Sequence, residues 1–265
     1  MIFYYSIFPA IVLYFFAVVF YFVKHESFKF KSFGFSIRNY YLLMSPFVIG
    51  LFVYSLKASS IRPIIQFLIF GLAGVIAEIL VDTWWQIFYG RPLWVYFVES
   101  FDHHYSSWLN FIPWGLGGFL YFNIASRIIS INYFSGFEFI ATAILGSLIG
   151  VQIFLFRLFK PSRHFKFHKI NLTNLVIFFV PLVIAVAWLA QIYSSDIYKL
   201  ALLFAVVPTV VEYIYGKFCQ FFISRKLWDY IYLSADHGHF TPLSIPLFCL
   251  GGFYFLILSR FLGWI

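Results

Sequence analysis

Charge is what this chain has least of. Asp, Glu, Lys and Arg together make up 11% of its 265 residues, against about 25% in a typical soluble domain. That shortage excludes an ordinary water-soluble globular domain. Cysteine is nearly absent as well: only Cys219 and Cys249 occur. They build neither a disulfide framework nor a metal-binding spacing, and read as small buried side chains. A glycine-rich nucleotide loop, a serine-nucleophile elbow and a zinc-protease motif are all missing. No Lys or Arg precedes the first apolar run and no small-residue cleavage site follows it. A removable signal peptide is therefore not expected.

What the chain has instead is apolar and aromatic: 63% of residues are hydrophobic and 25% are Phe, Trp or Tyr. In lipid, backbone groups must be satisfied within the chain, so the sequence predicts an all-α, aromatic-rich, polytopic membrane protein. Its apolar runs predict eight transmembrane helices, near 2–23, 40–56, 64–89, 111–131, 139–159, 174–193, 197–223 and 243–263. The first, of about 22 residues, is long enough to cross a hydrocarbon core about 30 Å thick. The net charge of +8 reads as orientation and contact with anionic membrane lipids rather than as a nucleic-acid surface.

The most informative stretch is written twice. A shift of 134 residues (212 − 78) lays Glu78, Gln86, Phe88 and Arg91 on Glu212, Gln220, Phe222 and Arg225. Leu93, Trp94 and Tyr96 then fall on Leu227, Trp228 and Tyr230, and Ser100, Asp102 and His103 on Ser234, Asp236 and His237. Leu109, Leu116, Gly117, Gly118 and Phe119 fall on Leu243, Leu250, Gly251, Gly252 and Phe253. These are 15 identities in 42 columns, and they include Glu, Arg, Trp, Asp and His, which chance rarely matches in a chain so rich in Phe, Ile and Leu. The expectation is two tandem four-span repeats, 1–134 and 135–265. An even number of spans per repeat makes them parallel, related by an axis along the membrane normal.

Basic residues set the expected orientation. The loops after the first, third, fifth and seventh spans, with their helix ends, hold Lys24, Lys29, Lys31, Arg38, Arg91, Arg157, Lys160, Arg163, Lys166, Lys169, Lys217, Arg225 and Lys226. These are 13 of the 18 Lys and Arg residues; Lys57, Arg62, Arg127, Lys199 and Arg260 lie on the other side. The positive-inside rule then makes those loops cytoplasmic and both termini extracytoplasmic, in an inner or plasma membrane.

The duplicated polar residues are the candidate site. Glu78 lies 11 residues before the end of its span, about 16 Å deep at 1.5 Å per residue, and Glu212 matches it. A carboxylate at that depth turns inward and is often functional; its bland alternative is a packing hydrogen bond. Asp82, one turn on, shares the face of Glu78, but Gly216 stands at the matching place, so the first copy is expected to be the more important. Arg91 and Arg225 read as catalytic partners or as positive anchors. Trp94, Tyr96, Trp228 and Tyr230 read as a substrate wall or an interfacial belt. Asp102, His103, Asp236 and His237 are suited to acid–base catalysis. His104 and His239 are the residues to hold a divalent metal, although the spacing follows no established motif. His25, His164 and His168 lie among lysines and read as loop residues.

These polar groups run from mid-span to one face only. That favours an enzyme acting on a lipid or isoprenoid-type substrate through a cavity open to the cytoplasmic half. The alternative is a small-solute or lipid transporter or channel, whose polar groups would extend through the membrane.

Overall fold

The computed structural model describes residues 37–128, 136–159, 172–223 and 225–264, together with Leu13, Tyr14 and Ala17. Among these residues the chain is mostly helical, with seven helices. They are α1 Ile37–Lys57, α2 Arg62–Tyr89, α3 Phe111–Ile128, α4 Phe137–Phe159, α5 Leu172–Ile192, α6 Asp196–Ile223 and α7 Ser244–Phe261. The expected span at 2–23, the loop lysines at 24–31 and 160–169, and His25, His164 and His168 lie outside the described residues.

Five helices are long and apolar enough to cross a membrane: those containing 40–57, 62–89, 137–159, 196–221 and 244–261. Leu80, Ile87, Phe139 and Leu202 stand exposed on them, a distribution compatible with lipid-facing surfaces in an integral membrane protein. Pro63 sits in the first turn of α2, where its missing N–H would have had no helical partner anyway. At the other end Gly90 closes α2 in the left-handed conformation at φ 78°, which glycine adopts without steric penalty. The chain turns back there.

The polar segments after α2 and α6 are not all-α. Trp94–Tyr96 (β1) pairs antiparallel with Trp228–Tyr230 (β4), and Ser100–Phe101 (β2) with Ser106–Ser107 (β3). The physical reason is that backbone leaving a helix among apolar neighbours must still find partners. Aromatics alternating in Trp-x-Tyr suit a strand buried on one face.

The β1–β4 ladder joins the two halves of the chain. Val95 faces Asp229, the residue 134 positions on, with Trp94 opposite Tyr230 and Tyr96 opposite Trp228. Ile231 N–H donates to Leu93 O at 2.8 Å, and Phe97 N–H to Leu227 O at 2.9 Å; the shift that takes 93 to 227 takes 97 to 231. Deeper in, Trp114 lies 6.2 Å from Phe248 and Tyr121 5.6 Å from Phe255, again residues 134 apart. Phe70 meets Phe255 at 5.2 Å, and Phe204 meets Tyr121 at 5.1 Å. Residues that touch their own counterparts mark the line where α3 and α7 meet.

Candidate functional site

Glu78 points from α2 into the fold of the segment that follows it. Tyr96 OH donates to its Oε1 at 2.7 Å and Ser106 Oγ to its Oε2 at 2.5 Å. Asn110 Nδ2 reaches both oxygens at 3.0 Å, and the Trp114 indole lies close enough to act on the same carboxyl. Every one of these neighbours offers a donor. One turn on, Asp82 Oδ1 accepts from the backbone N–H of Leu93 at 2.7 Å and of Trp94 at 3.4 Å. Asp82 therefore pins the returning chain onto α2. Trp94 completes the anchor by donating its indole N–H to Tyr105 O at 2.8 Å.

The matching residues of the second half begin alike. Tyr230 OH donates to Glu212 Oε1 at 2.6 Å. Thr241 Oγ donates to Tyr232 O and Ser107 Oγ to Val98 O, at 2.8 and 2.7 Å. Beyond that the halves part. Ser106, Asn110 and Trp114 correspond to Phe240, Ser244 and Phe248, and the Ser244 hydroxyl is turned to Thr241 O. Glu212 Oε2 is consequently buried with no hydrogen-bond partner. The two glutamates lie within electrostatic reach of each other, and Tyr230 within reach of both and of Asp82.

Position 216 departs most sharply. Where Asp82 holds the chain in the first half, Gly216 leaves room. A Cβ there would stand 3.1 Å from the Trp228 ring and 3.3 Å from His239 Nδ1. His239 corresponds to Tyr105; its ring is buried, and Nε2 meets Gln220 Oε1 at 2.5 Å. Burial lowers its pKa below the usual 6.5, and Lys226 and Lys217 lower it further, against the smaller opposing pull of Asp236 and Asp229. Asp236 itself is held below the usual carboxylate range by Lys217 Nζ at 2.6 Å and the Tyr213 hydroxyl at 2.8 Å.

The expected residues do not gather as one group. Glu78, Asp82, Trp94 and Tyr96 share a hydrogen-bonded cluster, and Glu212 joins Tyr230, while Trp228 packs between Tyr96 and Tyr215. The hydrogen bonds of Glu78 come from Tyr, Ser and Asn rather than from Arg91 or His103. Arg91, Asp102 and His103 are exposed, and so are Arg225, Asp236 and His237. His104 Nδ1 pairs with Ser100 Oγ at 2.5 Å while His239 engages Gln220. Among the described residues no three His, Cys, Asp or Glu side chains are grouped to hold a metal ion. Asp102 and His103 adopt positive φ of 49° and 56°, Asp236 and His237 of 48° and 56°. The duplicated Asp-His pairs thus form the same tight left-handed turn.

Sequence reasoning missed Ser106, Asn110, Gln220 and the niche at Gly216. Ser106 and Asn110 are not repeated at 240 and 244, so a search for duplicated residues discards them. Gln220 is repeated, and its repetition is a signal that could have found it. The chain has the makeup of a multi-helix integral membrane protein. No protein-family model, no curated protein and no solved structure matches it.

Proposed function

We propose that this is a membrane-embedded enzyme acting on a lipid or isoprenoid-type substrate, built from two tandem parallel four-span repeats of which the second carries the chemistry. The single observation that supports this most is the contrast between the glutamates. A carboxyl group surrounded by donors, as Glu78 is, has no free valence and serves as a structural anchor. Glu212 keeps one buried oxygen unpartnered, and such a group costs about 1–3 kcal/mol unless something meets it. A carboxyl open on one side, lined by Trp and Tyr, is suited to giving or taking a proton beside an apolar substrate. The repeat reading rests on the contacts between residues 134 apart. The cytoplasmic placement of the two polar segments rests on the distribution of basic residues.

The test uses purified protein in nanodiscs supplied with a total lipid extract, read by mass spectrometry for a species consumed and a species formed. Glu212→Gln should lower that conversion by about a hundredfold, the scale of one acid–base group, with monodispersity intact. Glu78→Gln should instead lower the melting temperature. Conversion untouched in Glu212→Gln would remove this residue from the mechanism. No conversion, together with solute flux in proteoliposomes, would select the transporter.

A further inference from the structure

We infer that the niche at Gly216 is a binding site for the hydroxyl group of a neutral lipid alcohol, gripped between Trp228 Nε1, His239 Nδ1 and Glu212 Oε2. This rests on the enzymatic reading of the same site and adds the substrate's polar group.

Three elements meet at the niche. The glycine lies on α6 one turn after Glu212, so both occupy the same face. The indole of Trp228, on β4, faces the glycine through its outer carbons Cη2 and Cζ2. Cζ2 belongs to the edge of the ring that carries Nε1, and that N–H is buried with no partner. His239, on the segment before α7, contributes Nδ1 at the same spot. Its other nitrogen faces Gln220 Oε1, which fixes the proton on Nε2 and leaves the Nδ1 lone pair facing the niche. One donor, one acceptor and one carboxyl oxygen are therefore offered around the space left by a missing side chain.

The first half closes the same place. Asp82 stands where Gly216 does, and its Oδ1 is bound to Leu93 N–H and Trp94 N–H. Its tryptophan N–H is bound to Tyr105 O. The open space belongs to the second half alone.

The donor–acceptor mix selects the ligand. An alcohol can accept from Trp228 and donate to His239 in one geometry. A hydrocarbon can do neither, and an ether can only accept. A phosphate would meet Glu212 Oε2, with Glu78 and Asp82 within electrostatic reach of the same Tyr230. None of those three carboxyls has an ion pair among the described residues, so the local charge opposes a second anion.

Farnesol, farnesyl methyl ether and farnesyl phosphate, each added to the detergent-solubilised full chain, discriminate these cases by native mass spectrometry. Farnesol should bind at least about tenfold more tightly than the ether, the worth of one hydrogen bond to a buried partner, and more tightly than the phosphate. Trp228→Phe keeps the ring and deletes the donor, so it should weaken all hydroxyl and ether binding while the monomer peak persists. Gly216→Ala places a methyl group in the niche and should remove farnesol binding. His239→Phe should bring farnesol and its ether to equal affinity. Phosphate bound as tightly as the alcohol, or farnesol bound unchanged by Gly216→Ala and Trp228→Phe, would overturn the inference. Farnesol bound as expected without any lipid conversion would leave the niche standing and overturn the enzymatic reading instead.

Discussion

At the scale of single residues, the neighbours of a carboxyl decide its role. Glu78 and Glu212 have the same depth, the same helix position and the same tyrosine. Replacing Ser106 and Trp114 by Phe240 and Phe248 takes hydroxyl and indole donors away and turns an anchor into an open group. Each donor to a charged acceptor contributes about 1.5–3 kcal/mol, so Glu78→Gln, which presents an amide to donors, should cost stability in that range. His239 makes a second residue-scale prediction. Its folded pKa lies below the unfolded value of 6.5, so the unfolded chain binds its proton more readily. The stabilisation is complete above that value and is lost as pH falls below it towards the lowered folded pKa. The charged groups around it are Lys217 on α6, Lys226 and Asp229 beside and on β4, and Asp236 in its own segment. Melting followed from pH 8 to pH 5 should show a decline that His239→Gln flattens. An unchanged decline would assign it to another group.

At the scale of elements, small residues set how closely helices approach. A Cβ on Gly118 would stand 2.4 Å from Phe70 Cβ, and one on Gly252 2.2 Å from Phe204 Cγ. Neither distance is sterically admissible, so α2 must separate from α3 and α6 from α7 to accept a methyl group. Gly118→Ala and Gly252→Ala should each destabilise by about 1–3 kcal/mol, the usual cost of overpacking. At Gly117 and Gly251 an added methyl carbon would meet nothing within 4 Å. Alanine there should be close to neutral in the same thermal assay. Equal losses at all four glycines would mean that helix propensity, and not approach, governs them. The strands carry the other element-scale result. A segment of alternating aromatics between two spans reads as interfacial loop until another such segment lies beside it.

At the scale of the whole molecule, basic residues and pairing across the two halves set the arrangement. A cytoplasm-only reporter inserted near Phe165 should be active, and the same reporter fused after Ile265 silent, given 13 basic residues on one side and 5 on the other. The reverse pattern would place the Asp-His turns outside the cell. By itself the sequence determined the helices from α1 to α7 to within a few residues, because an apolar run of membrane-crossing length has only helix available to it. It also singled out Glu78, Glu212, Trp94 and Tyr96 by repeating them. Only the tertiary structure decided that β1 pairs with β4, that Ser106 and Asn110 hold Glu78, and that Gly216 leaves a niche against Trp228 and His239. Those facts depend on residues far apart in the chain, or present in only one half of it. Hydrophobic periodicity is local and duplication preserves what is shared, so neither can register a contact that exists because the two halves differ.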